Sequence, residues 1–151
     1  MKMFTKKKLT GCNVQSSKGF TLIEVMIVAA ILAILVAIAV PSYKIFVTKA
    51  SRTEATSFLL EAAGEQQRFY TENNRYASAM TEMGYGSDQI ETETGLYTVS
   101  VTASSPSSFT LTAAPLASGS QATDTDCGSF TINSGGLKGI VGGTGTAADC
   151  W

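Results

Sequence analysis

The chain has 151 residues, a length that suits one domain, and it contains no histidine. The absence of histidine excludes a Ser-His-Asp triad, a Cys-His nucleophile pair and any His-ligated metal. Only 15% of the residues are charged, against about 25% in an ordinary soluble domain. The net charge of −1 hides an asymmetry, because residues 1–19 carry five lysines and no acid, whereas the remaining residues carry six basic and twelve acidic side chains.

An apolar segment follows the basic N-terminal end. Apart from Glu24, residues 20–43 hold no charged side chain, and the 19 residues from 25 to 43 are uncharged. This length roughly matches the ~20 residues that a helix needs to cross a bilayer. Lysines before the segment and an acidic body after it fit an orientation with the N-terminus in the cytoplasm. A carboxylate costs about 2.5–3.5 kcal/mol at a bilayer centre, so Glu24 either reaches the interface or is neutralised by a partner charge.

The residues around Glu24 carry a family resemblance. The segment Lys18-Gly-Phe-Thr-Leu-Ile-Glu-Val-Met-Ile-Val resembles the class III signal of type IV pilins, in which a basic leader ends in Gly and a Phe and an apolar helix follow. The resemblance implies that a prepilin peptidase cleaves between Gly19 and Phe20 and methylates the new Phe20 amine. It also implies that Pro41 occupies the place of a helix-kinking proline.

The freed amine gives Glu24 an expected role. An α-amino group has a reference pKa of about 7.7–8.0, so the Phe20 amine would be cationic near neutral pH. It could pair with Glu24 one helical turn away in the same chain or with Glu24 of a neighbouring subunit. Because an unpaired charge is strongly penalised in a low dielectric, pairing between subunits would fix their axial register. The resemblance favours the intermolecular pair and makes Glu24 and Pro41 the expected assembly residues.

One long helix is predicted from residue 20 to about residue 71. Its first half is apolar all round, and Pro41 should kink or locally melt it just before the proline. In the second half, apolar residues recur at three- to four-residue spacing, with charged residues such as Arg52 between them. Glu61 and Glu65 are assigned to a solvated face. The apolar positions are Phe46, Val47, Ala50, Ala55, Phe58, Leu59, Ala62 and Phe69.

Beyond the helix the pattern changes to strands. Residues 74–95 are predicted to form a loop with a short helical turn near Met80. From residue 96 to 141 apolar and polar residues alternate, which predicts an antiparallel sheet of about four strands with one apolar face packed on the helix. This is an α+β fold, and by resemblance it is the type IV pilin fold. The alternating apolar positions are Tyr97, Val99, Val101, Ala103, Phe109, Leu111, Ala113, Phe130 and Ile132, with Leu137, Ile140 and Val141 in a short final strand.

The cysteines predict a C-terminal loop. Cys12 lies in the leader and would be removed, which leaves Cys127 and Cys150 in a segment predicted to be extracytoplasmic, where a disulfide is expected. Free thiols or a metal site are the alternatives. A disulfide would close a loop of roughly 24 residues and contribute around 3 kcal/mol in the chain-entropy model. The pair also resembles the Cys-bounded loop at the C-terminal end of pilins.

The resemblance implies a structural subunit, most like the PilE-type minor pilins, and no enzyme. Its segments would be a leader (1–19), a transmembrane or filament-core helix (20–43) and a periplasmic or extracellular head (44–151) with a disulfide loop (127–150). The precursor would lie in the bacterial inner membrane and then enter a surface filament that supports pilus assembly, twitching motility, adhesion or DNA uptake. The expected partners are other pilin subunits through their N-terminal helices, the prepilin peptidase and the inner-membrane assembly machinery. No cofactor is expected.

Two other functions share parts of this pattern. A type II secretion pseudopilin would have the same N-terminal segment, and a membrane-anchored binding domain would never polymerise. Direct nucleic-acid binding is not expected, because Lys138 is the only basic residue after Arg75, against seven acids. Asp124 and Asp126 leave a calcium site open, since carboxylates suit calcium.

Overall fold

The computed structural model describes residues 19–151, so the predicted leader, apart from Gly19, lies outside the described residues. The chain divides into two units, one ending at Val40 and the other beginning at Pro41. Helix α1, Leu22–Asn73, contributes to both units. All later elements belong to the second unit.

The first unit presents an apolar helix whose side chains are exposed. The large hydrophobic side chains from Leu22 to Val40 are between 50% and 78% exposed. By its length and composition, α1 could cross a membrane. At its start the Glu24 N–H donates to the Thr21 hydroxyl (3.3 Å), which caps one of the amides that a helix N-terminus leaves without a partner.

Helix α1 is not interrupted at Pro41. Proline has no N–H to donate to the Ala37 carbonyl, which is the reason that the sequence predicted local melting at this point. Of the two predicted alternatives, a kink or local melting, the structure does not show melting, since α1 runs unbroken from Leu22 to Asn73.

In the second unit, α1 buries one stripe against the sheet. The stripe begins at Ser51, about one turn later than predicted, and Phe46 is 71% exposed. It also includes polar residues that the apolar pattern omitted. Ser51 and Thr56 tolerate burial because their hydroxyls donate to the carbonyls of Val47 and Thr53 within the helix. The buried positions are Ser51, Ala55, Thr56, Leu59, Ala62 and Gln66.

The sheet is an antiparallel meander of five strands in chain order, one more than the roughly four predicted. The added strand lies in the segment predicted to be a loop, where Ile90 pairs with Val99. A short 3₁₀ helix, Thr81–Met83, confirms the predicted turn near Met80. The strands are β1 (Ile90–Glu91), β2 (Tyr97–Ser105), β3 (Ser108–Pro115), β4 (Ser129–Asn133) and β5 (Lys138–Val141), and a one-turn helix α2 (Ala147–Cys150) follows.

The apolar pattern predicted for the strands fails at the end of β2 and in the final strand, where Leu137 precedes β5 and Leu137 and Val141 are 71% and 60% exposed. Val101 faces the core side opposite Leu111, but the register then shifts, and Ala103 pairs with Thr110. Thr110 lies on the outer face, so this bulge at Thr102 turns Ala103 to the outer face, where it is exposed. The other predicted apolar positions of β2, β3 and β4 are buried, and they form one core with the helix stripe: Tyr97, Val99, Phe109, Leu111, Ala113, Phe130 and Ile132.

A buried side-chain amide ties α1 to the chain that follows it. The Gln66 amide group donates to the Ala77 carbonyl (3.0 Å), and its oxygen accepts from the Ala77 N–H (2.9 Å). Gln66 has no exposed surface, so both bonds replace hydrogen bonds that water would otherwise make. Residues 74–80 are thereby held against the core although they form no strand.

Candidate assembly site and disulfide-bounded loop

Phe20 and Glu24 lie together at the start of α1. With Val25 and Val28 they line one shallow surface pocket, and Phe20 is 84% exposed. Within residues 19–151 the Glu24 carboxylate makes no ion pair. The structure therefore places the predicted processing residue Phe20 and the predicted assembly residue Glu24 on one surface and leaves the carboxylate open to a partner.

Cys127 and Cys150 are joined by a disulfide bond, as the sequence predicted. Both residues are buried in the core of the second unit. Cys127 lies two residues before β4 and Cys150 ends α2, so the bond fixes the C-terminal turn to the sheet.

The glycine-rich segment inside this loop packs backbone against backbone. A side chain at Gly143 would collide with the backbone of Asp126 and Cys127. Next to it, the Gly145 N–H donates to the Asp126 carbonyl (2.8 Å). Close approach of two backbones requires residues without a Cβ, which accounts for glycine at position 143.

Trp151 closes the loop on the sheet. Its indole N–H donates to the Gly139 carbonyl of β5 (2.9 Å), and its ring packs edge-on against Phe130. The Lys138 ammonium lies 4.9 Å from the centre of the same ring, within the range of a cation–π contact. The last residue of the chain is therefore part of the packed head.

An ion pair joins the helix to the segment just before the disulfide. The Arg52 guanidinium donates two hydrogen bonds of 2.7 Å to the two carboxylate oxygens of Asp124. The side chains are only 15% and 5% exposed. Arg52 was predicted to lie among the charged positions between the apolar ones. The sequence carries only a weak signal for the burial of Arg52, namely that it directly follows Ser51 of the buried stripe. Its partner Asp124 is 72 residues away, so the sequence gives no local sign of the pair.

The ion pair sets the charge state of Asp124. Burial by itself would raise the pKa of this carboxyl. The hydrogen bonds and the positive charge of Arg52 lower the pKa below its usual value, and so do the hydrogen bonds that the backbone N–H groups of Cys127 and Asp126 donate. The same hydrogen bond, which Arg52 donates to Asp124, raises the pKa of the Arg52 guanidinium. Nearby, burial raises the pKa of Tyr97 to about 12.

The calcium site left open at Asp124 and Asp126 has no support in the geometry. Both oxygens of Asp124 are engaged by Arg52, and Asp126 lies 3.9 Å from the same guanidinium. Among the described residues no group of three or more potential metal ligands occurs. The carboxylates of Asp124 and Asp126 interact with the Arg52 guanidinium instead.

A second ion pair, between Arg68 and Glu65, is of a different kind. It joins residues three apart on α1 at 2.7 Å, and both side chains reach solvent. Glu61 is exposed, as predicted, but Glu65 is only 31% exposed, and the Oε2 atom that contacts Arg68 is buried, so the expectation of a fully solvated Glu65 is wrong. Arg68 itself is 64% exposed, and pairs that solvent reaches in this way contribute little, about 0–1 kcal/mol.

We predict that Asp124→Asn lowers the free energy of unfolding of the full chain in detergent by about 3 kcal/mol near neutral pH, because it leaves the nearly buried Arg52 side chain with only the exposed carboxylate of Asp126, 3.9 Å away, as a counter-charge. A lowered pKa gives stability that is present above the ordinary value of 3.8 and is lost as the pH falls through the lower folded value. The wild type should therefore lose this contribution in acid, whereas Asp124→Asn should lack that pH dependence. Urea unfolding followed by fluorescence of the single tryptophan measures both.

The matched control is Glu65→Gln, which breaks the more exposed pair with Arg68 and should cost less than about 1 kcal/mol. Equal losses in the two variants would contradict the assignment of Arg52 and Asp124 as the pair that holds the head together.

Comparison with known families agrees with this architecture. A family model described as "Type IV minor pilin ComP, DNA uptake sequence receptor" matches residues 41–131. The prokaryotic N-terminal methylation motif matches residues 15–40. Together the two models cover the apolar helix and most of the head.

Curated relatives are pilins from several bacteria. The type IV major pilin protein PilA of Myxococcus xanthus is 38% identical over 73 residues, covering 48% of this chain and 33% of the relative. The wide pilus major component PilA4 of Thermus thermophilus is 41% identical over 64 residues, covering 42% of this chain and 49% of the relative. Fimbrial protein Q of Moraxella bovis is 37% identical over 90 residues, covering 60% of this chain and 54% of the relative. The matched part therefore spans between a third and about half of the length of these proteins.

A solved structure shares the fold. The non-core minor pilin PilV of Neisseria meningitidis superposes with a TM-score of 0.50 and 20% sequence identity, covering 68% of this chain and 94% of that one. With a family model that matches more than half of the residues, the chain belongs to the type IV pilins, in the family of the minor pilin ComP.

Proposed function

We propose that the chain is the precursor of a minor subunit of a type IV pilus, anchored in the bacterial inner membrane by one helix with its N-terminus in the cytoplasm. A prepilin peptidase removes residues 1–19 and methylates the amine of Phe20. The inner-membrane assembly machinery then inserts residues 20–151 into a surface filament. The observation that carries the proposal is the apolar half of α1, which is exposed from Leu22 to Val40 and lies within the match to the methylation motif (residues 15–40).

The exposed helix surface needs an apolar environment before and after assembly. Monomeric soluble proteins rarely expose contiguous apolar patches larger than a few hundred Å². Lipid covers this surface in the precursor, and the helices of other subunits cover it in the filament. Because lipid tails are about as apolar as these side chains, the exchange is nearly neutral in hydrophobic terms, which suits a filament that extends and retracts.

Polar pairing then decides the register. In an apolar bundle the carboxylate of Glu24 requires a positive partner, and the methylated amine of Phe20 on a neighbouring subunit supplies one. The open position of the Glu24 carboxylate supports this assignment. Pro41, where one backbone carbonyl lacks its helical donor, is the point at which the filament-core part of α1 meets the part that packs on the sheet.

Minor status is supported by the ComP family model and by the fold of PilV. The disulfide-bounded loop favours a pilin over a type II secretion pseudopilin. A non-polymerising anchored domain would have no use for a cleavage site or for an unpaired carboxylate in its apolar segment. The proposed roles of the filament are assembly, twitching motility and adhesion.

The first prediction concerns processing. Protein sheared from the cell surface should begin at N-methylated Phe20 and be lighter by the two hydrogens lost when Cys127 and Cys150 are joined. Intact mass and N-terminal sequencing measure both. Gly19→Val should retain the leader in the membrane fraction, whereas Gly11→Val, within the same leader, should be processed normally. Surface protein that retains Met1 would contradict the proposal.

The second prediction concerns assembly. Glu24→Gln should lower the amount of subunit in sheared filaments at least about ten-fold, since about 1.4 kcal/mol per contact already shifts an equilibrium that far. The control Glu61→Gln changes an exposed carboxylate in the head-packed half of α1 and should assemble normally. Both variants should be processed and membrane-bound. Wild-type incorporation of Glu24→Gln would indicate a lone anchor.

DNA capture is a second candidate, favoured by the family model, whose description names a DNA uptake sequence receptor. The charge of the head opposes it, because Lys138 is the only basic residue after Arg75. If the chain binds duplex DNA, we expect Lys44 and Lys49 to contact the phosphates. With two such contacts, a plot of the logarithm of the association constant against the logarithm of the salt concentration should have a slope of about −2. Binding titrations of the detergent-solubilised full chain test this, with Lys138→Gln as the control. No binding at low salt would remove this candidate.

A further inference from the structure

A polar groove lies between α1 and the connection from β3 to β4. It consists of two adjoining pockets of about 340 and 430 Å³. The helix contributes Tyr43, Lys44, Thr48 and Lys49, and the connection contributes Ser120 and Thr123. Lysine and hydroxyl groups thus face one another across a groove large enough for a phosphate group.

The groove carries a small positive charge. Its cations are Lys44, Lys49 and Arg52, and its carboxylates are Asp124 and Asp126, which gives a net charge of +1. Arg52 is committed to the two aspartates. Within residues 19–151 neither lysine forms an ion pair, so their ammonium groups are the ones that an anion would meet.

The lysines of the groove follow the apolar segment directly in the sequence. Lys44 is the residue after the last uncharged position of the 25–43 stretch, and Lys49 is five residues further. At 1.5 Å per helical residue, about 8 Å separates them along the axis of α1. Tyr43, adjacent to Lys44, is 69% exposed, and tyrosine is enriched at membrane–water interfaces. Chain connectivity alone therefore keeps the lysines near the headgroup region when the stretch spans a bilayer.

We propose that this groove binds the phosphate of an anionic phospholipid headgroup in the membrane that anchors the precursor. The inference rests on the proposed function, since it requires a membrane-inserted chain. A phosphodiester carries one negative charge, which matches the net charge of the groove, and its oxygens accept hydrogen bonds from ammonium and hydroxyl groups. The headgroup holds the head at the membrane surface until the subunit is extracted into the filament.

The test uses the full chain reconstituted in vesicles of phosphatidylcholine with a minor fraction of phosphatidylglycerol. Electron paramagnetic resonance of spin-labelled phosphatidylglycerol and spin-labelled phosphatidylcholine measures the preference for the anionic lipid at the protein surface. A lysine near an anionic surface contributes about five-fold in affinity. Lys44→Gln with Lys49→Gln should therefore lower the preference at least about five-fold.

Two further variants separate the groove from general surface charge. Arg68→Gln with Lys138→Gln removes the same charge from elsewhere in the head and should keep the wild-type preference. Thr123→Phe fills the groove without changing the charge and should lower the preference as the lysine variant does. A wild-type preference in Thr123→Phe would overturn the groove in favour of diffuse attraction by the lysines.

The remaining outcomes are also decisive. Flotation of the vesicles reports membrane insertion separately, so a chain that does not float contradicts the proposed function, whereas a chain that floats without lipid preference contradicts only the headgroup site. If duplex DNA binds through Lys44 and Lys49 while the lipid preference is absent, the groove serves nucleic acid. Cross-linking of these lysines to a second copy, again without lipid preference, would assign the groove to a subunit contact.

Discussion

The apolar half of helix α1 must be covered by something other than the described residues of its own chain, and other features follow from this constraint. Exposure of a helix that is apolar on every side to water is unfavourable, whereas the same helix is stable in lipid or among other apolar helices. An internal carboxylate at Glu24 would only destabilise a simple anchor. In the filament that we propose, the same carboxylate would align neighbouring helices, since misaligned subunits would leave it unpaired.

The head uses polar contacts where its apolar core is small. Its sheet has five short strands, and one half of one helix covers it, so hydrophobic burial alone supplies limited stability. Three contacts fasten segments that have few large side chains. Gln66 holds the chain after the helix, Arg52 holds Asp124, and the disulfide holds the C-terminal turn. Each contact is made at a buried or nearly buried position, where loss of one partner is costly.

Much of the head was predictable because its pattern is local. Alternation of apolar residues identified the long strands, and an even number of cysteines outside the leader identified the disulfide. Strand β1 was missed because two residues around Ile90 show no period, and Ala103 was misplaced because a bulge at Thr102 leaves no mark on alternation. The contact between Arg52 and Asp124 was missed because it joins residues far apart in sequence, each of which is ordinary in its local context.

The chain order of the sheet has a consequence for how the head folds. Every strand pairs with the strand next to it in sequence, and all the connections are short except the one from β3 to β4 (residues 116–128), so the contact order within the sheet is low. A chain that emerges N-terminus first can therefore add one hairpin at a time without waiting for its last residues. The contact of Arg52 with Asp124 becomes possible before β4 emerges, whereas the disulfide bond to Cys150, the residue that ends α2, comes last. Formation of the disulfide bond between Cys127 and Cys150 is therefore the step that completes the head. A subunit truncated before Cys150 would keep its meander but could not form this bond.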